Sequence, residues 1–600
     1  MEGQSKKREE IGPEYKWKLE DIYADENSWE EDYKKLEEQI PALEKYKGVL
    51  GSSSTQLLQV LEFSHELERK AEKLYVYARM RRDEDNGNSH YQALFDRVQR
   101  LSIELGSASA YIVPEIISLA PEKIRAFLDE NQDLQLYSRL LDELMRQKEH
   151  ILSPEEERIL AMSADLSLAA KNIFGMLNNA DIKFPVIQDE EGKAVELTKG
   201  RYGSFMESNE RRVRKEAFTA LYGSYGKVKN TLAMSLASNV KNDIFYSRVR
   251  KYPSALEASL DQDNISPEVY ERLVETVHNN MEPMYRYLRL RKKALGLDEL
   301  HMYDIYAPLV KEFKSKVSYE KSQEMVLKAL QPLGDEYLAI LRGGLKGGWI
   351  DVYENEGKTS GAYSWGCYDS HPYVLMNYDD KLDDVFTLAH EMGHALHSYY
   401  SNKNQPYVYS QYSIFVAEVA STVNELLLID YLLAQSREPR EKAYLINHYL
   451  EQFRGTVYRQ TMFAEFEKKI HERVEQGQTL TAEGLCQSYR ELNRLYYGPD
   501  TLLDEEIDME WARIPHFYSA FYVYKYATGF SAAVALKEQI LQEGKPAVER
   551  YLEFLKSGSS DYPLNLLRKA GVDLTTPEPV EKALHLFARL VTEMERVLDI

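Results

Sequence analysis

Two histidines four residues apart, with a glutamate directly after the first, occur in the segment LAHEMGHALHSYY at residues 388–400. Residues four apart on an α-helix lie on the same face, so His390 and His394 present two imidazoles to one point and can share a Zn²⁺ ion. Glu391 can reach a water at that ion without binding the metal, and it can take the proton of that water. The H-E-x-x-H spacing therefore predicts a hydrolytic zinc site; the alternative is that these are incidental polar residues on a helix.

A catalytic zinc site needs a third protein ligand and one open position. His397 lies near the same helical face, but three successive turns of one helix cannot easily converge on a single ion. The metzincin pattern is excluded, because it needs glycine and histidine at the positions of His397 and Tyr400. We therefore predict that His397 is structural or peripheral to the site.

The better candidate for the third ligand lies in FVAEVASTVNELLLIDYLL. Glu418, Ser421, Thr422 and Glu425 form one polar stripe at helical spacing in an otherwise apolar segment. Unpaired buried charge is costly, so carboxylates on such a stripe need partners. We predict that Glu418 binds the metal and that Glu425 accepts a hydrogen bond from a ligand histidine. The alternative is that both form salt bridges to lysine or arginine on a neighbouring helix.

The composition predicts a globular chain without a nucleic-acid or membrane partner. With 600 residues, at least two domains or subdomains are expected, and the formal net charge of −22 argues against a phosphate backbone as the partner. The chain has two cysteines, and its beginning lacks the apolar stretch of a secretory signal, so a reducing, cytoplasmic location is predicted. An apolar run at 413–434 has the length of a membrane helix, but three acidic residues interrupt it, which predicts a helix buried in protein.

Helical periodicity dominates most of the sequence and predicts a mainly α fold. Two short strand-like runs within 181–200 flank a turn at 190–192 and predict a hairpin. We predict a helical N-terminal region at 1–200 that ends in this hairpin, followed by a catalytic region at 201–600.

A second β-leaning region precedes the H-E-x-x-H motif. It contains strand candidates at 349–353, 361–365 and 373–378, separated by Gly, Asn and Ser turns. The helix with the motif is predicted to begin near Asp383 and Asp384, which are acidic residues suited to a first helical turn. The sequence thus predicts a small sheet directly beside the zinc-binding helix.

HEMGHALH, followed 24 residues after His394 by the glutamate of FVAEVAST, resembles the thimet oligopeptidase family of zinc metallopeptidases. Within that family the similarity is greatest to the oligoendopeptidase F branch. The resemblance covers roughly residues 200–580, and the helical N-terminal region also resembles that of this branch. The supporting stretches are YGSFMESNERRVRKEAFTALY, SWGCYDSHPYVLMNY and IPHFYSAFYVYKYATG.

This resemblance implies two largely helical halves that enclose a deep channel, with one zinc ion per chain at its floor. It implies that His390, His394 and Glu418 bind the zinc and that Glu391 is the general base. It also implies that the substrates are short, unstructured peptides, because such a channel excludes folded proteins.

In the same family a histidine and several tyrosines of the C-terminal segment stabilise the oxyanion, and a phenol O–H is a suitable preorganised donor. The candidates are His516, Tyr518, Tyr522 and Tyr524. One register of the comparison favours Tyr524 and a shifted register favours Tyr518 and Tyr522. The alternative is that these aromatic residues are helix core.

The strand candidate GAYSW could bind an extended peptide by strand addition. Gly361, Ala362 and Tyr363 would be its contacts, and His371 is a further candidate for contact with the substrate. A structural hairpin is the alternative for this stretch.

We therefore predict a zinc endopeptidase that hydrolyses internal bonds of short peptides. One alternative is a zinc exopeptidase, for which Arg513 is a candidate to bind the terminal carboxylate of the substrate. Another is a non-catalytic peptide-binding protein with a structural metal site, although Cys367 and Cys486 lack the ligand spacing of such a site. The sequence does not indicate an oligomeric state, and a monomer is compatible with it.

Overall fold

The structure is a computed structural model that describes residues 6–310 and 316–600. Helices contain 72% of the residues and strands 3%, which confirms the predicted mainly α fold. The prediction that a secretory signal is absent concerns the start of the chain. Residues 1–5 of that stretch lie outside the described residues.

The α-helices are, in chain order, α1 (Glu26–Gln39), α2 (Ser54–Glu84), α3 (Ser89–Ser109), α4 (Ile112–Ser118), α5 (Pro121–Glu130), α6 (Ser138–Arg146), α7 (Pro154–Met162), α8 (Ala164–Ser167), α9 (Ala169–Met176), α10 (Lys199–Met206), α11 (Arg211–Gly226), α12 (Lys229–Val249), α13 (Ala255–Asp261), α14 (Pro267–His278), α15 (Glu282–Ala294), α16 (Tyr319–Ala329), α17 (Gly334–Lys346), α18 (Leu382–Asn404), α19 (Tyr407–Ser410), α20 (Ile414–Gln435), α21 (Pro439–Phe453), α22 (Arg459–Glu475), α23 (Ala482–Tyr497), α24 (Tyr524–Glu543), α25 (Lys545–Lys556), α26 (Pro563–Lys569) and α27 (Glu578–Leu598). The strands are β1 (Val186–Gln188), β2 (Ala194–Glu196), β3 (Leu300–His301), β4 (Ile350–Asp351), β5 (Tyr363–Trp365), β6 (Tyr373–Leu375) and β7 (Thr501–Leu502).

The chain divides into two compact units, each built from three separate segments. The first unit contains Met1–Ile151, Ser315–Asp430 and Leu536–Gly571, and the second contains Leu152–Lys314, Tyr431–Ala535 and Val572–Ile600. Each unit combines segments from both sides of residue 200, because distant segments pack together and chain order does not define a compact unit. The predicted functional regions 1–200 and 201–600 stay a prediction.

Both predicted β regions are confirmed, with shorter strands than predicted. In the second unit β1 pairs antiparallel with β2, and Gly192 adopts a φ of +78° in the connecting turn. In the first unit the strand order is β4-β6-β5, with β4 parallel and β5 antiparallel to β6. Tyr373 and Leu375 of β6 join the apolar core formed by the N-terminal helices α1–α6. The edge strand β5 keeps one side without a partner strand in the described sheet.

Helix α18, which contains the H-E-x-x-H motif, begins where the acidic residues predict. The Asp384 carboxylate accepts hydrogen bonds from the backbone N–H groups of Asp379 and Lys381, both at 2.9 Å. These bonds satisfy two backbone donors at the start of the helix, and negative charge at this end is favourable for the helix dipole.

Helix α20 is largely buried, as predicted for the apolar run at 413–434. Its buried face includes Phe415, Val419 and Leu426, and Asp430 near its end pairs with Lys537 at 2.8 Å. Among the described residues, no single helix has the length and apolar composition of a membrane span. Two consecutive segments, α3–α4 and α5, are bent by 102° relative to each other. Together they have the length and apolar composition of a membrane span, and this match rests on length and composition only.

Helices α18 and α20 approach each other closely enough for their backbones to touch. A Cβ atom on Gly393 would lie 2.5 Å from Cα of Ser421 and 2.8 Å from the carbonyl oxygen of Ala420. Asn424 of α20 also donates a hydrogen bond to the carbonyl oxygen of Ala389 of α18, at 3.0 Å. The glycine inside the motif is therefore required for the spacing of the two helices.

Gly393→Ala is expected to push α18 and α20 apart and to lower the free energy of unfolding by about 1–3 kcal/mol. The variant should also bind Zn²⁺ more weakly, because both helices contribute predicted ligands. Chemical denaturation and metal titration measure the two effects.

Gly106→Ala in α3 is the matched control, since a Cβ atom there meets nothing within 4 Å. Alanine is the better helix former, so this variant should be as stable as the parent or more stable. Equal stability and metal affinity of the Gly393→Ala variant and the parent would show that the close approach is not needed.

Candidate functional site

Three side chains from α18 and α20 converge on one point in the first unit. Nε2 of His390 lies 3.1 Å from Nε2 of His394, and Oε2 of Glu418 lies 3.4 Å and 3.8 Å from these two atoms. Ligands of a tetrahedral Zn²⁺ site, at bond lengths of about 2.0–2.1 Å, are about 3.3–3.4 Å apart. His390, His394 and Glu418 form the one group of potential metal ligands found among the described residues.

Hydrogen bonds fix the proton positions on these imidazoles. Nδ1 of His390 lies 2.6 Å from Oε1 of Glu425. A carboxylate only accepts, so Nδ1 bears a proton, and Nε2 is the ring nitrogen that faces the convergence point. His394 donates a hydrogen bond to the backbone of Ala417. Two imidazole nitrogens and a carboxylate thus face each other, an arrangement that a cation stabilises.

The pKa values of the two histidines move in opposite directions. Burial works against the charged form of His390, but the hydrogen bond and charge of Glu425 raise its pKa to about 9. Burial and the neighbouring His390 lower the pKa of His394 to about 3. The surroundings therefore favour one positive charge at this point, on His390, and disfavour a second positive charge on His394.

The three ligand side chains are partly exposed, with 27% for His390, 18% for His394 and 41% for Glu418. Glu418 is therefore less buried than its apolar segment suggests. Catalytic zinc sites keep one coordination position open, whereas structural sites are closed by protein ligands. The exposure thus fits a catalytic arrangement.

Glu391 follows the first ligand histidine on α18 and is only 7% exposed. Burial raises the pKa of its carboxyl to about 7, and the nearby carboxylates of Glu418 and Glu425 add to this effect. The backbone N–H of Ser364 in β5 donates a hydrogen bond to it and works in the opposite direction. A carboxyl group with a pKa near neutrality can both accept and return a proton, as a general base and acid must.

The bond from Ser364 places the edge strand β5 directly beside the motif. Gly361, just before β5, adopts a φ of +84° and its carbonyl oxygen accepts a hydrogen bond from Asn377 at 2.8 Å. Ala362 lies between this glycine and the strand, and the hydroxyl of Tyr363 donates to Asp83 at 2.9 Å. The Tyr363 side chain is thus held by the protein, while the outer edge of β5 lacks a partner strand in the described sheet.

His371 has polar partners within the first unit. Its ring stacks on Trp349 with centroids 5.2 Å apart, and Nε2 lies 3.2 Å from Asp21. Nδ1 lies 2.9 Å from the carbonyl oxygen of Pro372. These contacts show a structural role for the ring, and its predicted contact with substrate stays a prediction.

His397 is 1% exposed and stacks on Tyr412 with ring centroids 3.7 Å apart. Burial lowers its pKa to about 3, so it is a neutral packed side chain, in accord with the structural role predicted for it. Burial raises the pKa of Tyr412 to about 12, and the charges of Glu418 and Glu391 contribute. Tyr412 is thus a neighbour of the site that sequence reasoning missed; its position just before α20 was the available signal.

In the second unit His516 and Tyr522 come together with a third residue, Tyr526. Nε2 of His516 lies 3.4 Å from the hydroxyl of Tyr526, and the His516 and Tyr522 rings are stacked 6.1 Å apart. Tyr526 was not among the predicted site residues. Tyr522 lies just before α24 and Tyr526 lies in its first turn, with their ring centroids 5.5 Å apart.

The other two predicted tyrosines lie in the core of the second unit. Tyr518 stacks on Phe174 with centroids 4.4 Å apart, and Tyr524 is 0% exposed against Tyr270. The structure therefore groups His516 with Tyr522 and Tyr526, and separates them from Tyr518 and Tyr524.

A strained turn shapes this aromatic segment. Phe521 adopts a φ of +50°, a left-handed conformation that is rare for a bulky residue. Its backbone N–H donates to the buried carboxylate of Glu467 at 2.7 Å. This bond holds the strained residue between the 3₁₀ turn Pro515–Tyr518 and helix α24.

Comparison with known protein families matches residues 204–586 to Peptidase family M3 and residues 115–184 to Oligopeptidase F. Oligopeptidase PepF of Bacillus subtilis (strain 168) is 50% identical over 591 residues, which are 98% of this chain and 88% of that protein. Group B oligopeptidase PepB of Streptococcus agalactiae serotype III (strain NEM316) is 41% identical over 99% of both chains.

Solved structures show the same relationship. Oligoendopeptidase-F from Enterococcus faecium superposes with a TM-score of 0.75 at 39% identity, over 96% of this chain and 99% of that chain. A solved chain from Chlamydophila abortus superposes with a TM-score of 0.94 at 37% identity, over 99% and 100% of the two chains. These similarities confirm the resemblance inferred from the motifs, and the chain belongs to peptidase family M3.

Proposed function

We propose that the chain is a zinc-dependent endopeptidase that hydrolyses internal bonds of short, unstructured peptides. The observation that supports this most strongly is the convergence of His390, His394 and Glu418 at the spacing of a zinc site. Membership of a peptidase family supports peptide hydrolysis, and the names of the relatives support oligopeptides as substrates. The cytoplasmic location and the lack of nucleic-acid and membrane partners stay predictions.

His390, His394 and Glu418 would hold one Zn²⁺ ion per chain. When bound, zinc lowers the pKa of water and polarises the carbonyl group of the peptide bond. Glu425 keeps the proton of His390 on Nδ1 and so orients Nε2 as a ligand. Glu391 takes a proton from the attacking water and returns it to the nitrogen of the leaving amine.

The edge of β5 would align the peptide by strand addition through the backbone at Gly361, Ala362 and Tyr363. The support for this is the position of β5 at the sheet edge and its hydrogen bond to Glu391. His516 and Tyr522 would steady the oxyanion, as the family resemblance implies, and the observed grouping adds Tyr526 to the candidates.

Glu391→Gln is expected to lower hydrolysis of an internally quenched peptide, blocked at both ends, by about 10²- to 10⁴-fold. One zinc per chain should remain, because Glu391 is not among the three converging ligands. Metal analysis and fluorescence measure both quantities. A parent enzyme that binds zinc, leaves the blocked peptide whole and trims an unblocked one would establish the exopeptidase alternative instead.

Glu425→Gln is expected to weaken zinc binding by about 10- to 100-fold, because the charge that orients His390 is lost. Asp430→Asn is the matched control on the same helix, since Asp430 pairs with Lys537 and not with a ligand histidine. Metal competition with a chelator gives both affinities. Equal losses in the two variants would argue that Glu425 acts only through the general charge of α20.

Tyr522→Phe and Tyr526→Phe test which phenol steadies the oxyanion, and His516→Ala tests the histidine. We expect His516→Ala and one of the two phenylalanine variants to lower kcat by about 10²- to 10³-fold. Tyr524→Phe should mainly change thermal stability, because this side chain is 0% exposed. A large loss of kcat in Tyr524→Phe alone would instead support the register that assigns the role to Tyr524.

A further inference from the structure

Four arginines and two glutamates meet inside the second unit. Glu451 accepts hydrogen bonds from Arg454 at 2.6 Å and from Arg291 at 3.2 Å. Glu510 accepts from Arg459 at 2.6 Å and from Arg513 at 3.1 Å. We call the four arginines the arginine cluster. Four guanidinium groups face two carboxylates, so the cluster has two positive charges in excess.

The pKa of the Tyr306 phenol reflects this excess of positive charge. Burial by itself would raise its pKa, yet Arg459 and Arg454 lower the pKa below its ordinary value. The guanidinium of Arg454 lies 4.5 Å from the centre of the Tyr306 ring. The neighbouring buried phenols of Tyr222 and Tyr489 behave in the opposite way, with pKa values well above the ordinary range.

A π-helical turn brings two of the arginines together. The turn Arg454–Tyr458 joins α21 to α22, and the backbone N–H of Arg459 donates to the carbonyl oxygen of Arg454. In an α-helix, positions five apart point about 140° away from each other. The wider π turn reduces this angle and so brings the side chain of Arg459 nearer to the side of the helix that bears Arg454. Such turns occur frequently at functional sites.

The cluster also has unused donors and access to solvent. Arg454 is 3% exposed, and its Nη1 atom is buried without a hydrogen-bond partner among residues 6–310 and 316–600. The side chains of Arg459 and Arg513 keep 17% and 24% of their surface exposed. Arg459 lies near enough to His516 to add to the lowering of the pKa of that histidine by burial.

We propose that the arginine cluster is a subsite for a carboxylate of the peptide substrate, with Arg459 and Arg513 as its accessible donors. Guanidinium groups match carboxylates through paired N–H donors, and excess positive charge favours an anion over a neutral group. The carboxylate comes from the C-terminus of the peptide or from an acidic side chain. This inference rests on the proposed peptidase function.

The test measures binding to the zinc-loaded Glu391→Gln variant, which is expected not to consume the ligand. Three labelled peptides of one length are compared: a free acid, its C-terminal amide, and an amide with one internal glutamate. We expect the free acid or the glutamate peptide to bind about ten- to hundredfold more tightly than the plain amide, and the preferred peptide identifies the source of the carboxylate.

Adding Arg459→Gln should reduce this preference to less than about threefold, because the charged peptide loses its additional affinity over the plain amide. Arg490→Gln is the matched control, because Arg490 pairs with Asp508 at 3.0 Å and is not part of the cluster. It should keep the full preference. Should Arg459→Gln fail to fold, Arg513→Gln tests the same point, since Glu510 then retains Arg459 and Tyr489.

A competition experiment with the four arginines unchanged provides a second test of the subsite. Acetate, exchanged for chloride at constant ionic strength, should compete with the preferred peptide and not with the plain amide. Equal binding of all three peptides would overturn the subsite, while hydrolysis of a blocked peptide by the parent enzyme would still uphold the proposed function. Absence of binding by every peptide, together with absence of hydrolysis, would overturn both.

Discussion

The backbone contact between α18 and α20 at Gly393 is the constraint on which the candidate site depends. The two ligand histidines belong to one helix, and Glu418 and Glu425 belong to the other. A side chain at position 393 would collide with the Ser421 backbone, so only glycine permits this spacing. Asn424 donates a hydrogen bond to the Ala389 carbonyl oxygen and so stabilises the same contact between the helices. The Tyr337 hydroxyl donates to Asn424 and orients its side chain.

This close packing places several ionisable groups in a small, poorly hydrated space. Burial raises the pKa of Glu391, and its neighbouring carboxylates contribute further. His390 compensates part of the negative charge through its bond to Glu425, and His394 stays neutral. The arrangement therefore has a deficit of positive charge at the point where three ligand atoms meet. The packing that creates the deficit also creates the affinity for a cation.

The second unit contains the opposite arrangement, an excess of positive charge. Its arginine cluster has more guanidinium groups than carboxylates, and the pKa of Tyr306 falls as a result. The same unit holds the strained Phe521 through the Glu467 carboxylate, close in sequence to His516 and Tyr526. Buried polar groups thus do two different things here: some define the backbone path, and others leave charge unneutralised where a ligand of opposite sign is stabilised.

The sequence by itself determined the features that depend on short-range periodicity. Four-residue spacing predicts that His390 and His394 share a face, and the polar stripe on an apolar segment singles out Glu418 and Glu425. Turn residues predict the hairpin and the small sheet, and acidic residues predict the start of α18. Only the tertiary structure decided which tyrosines accompany His516, that Glu418 is partly exposed, and which segments form each compact unit. It also revealed the arginine cluster, because the π turn rotates Arg459 toward Arg454 and Tyr306 lies about 150 residues away in the chain. Such contacts depend on packing between distant segments, about which local periodicity contains no information.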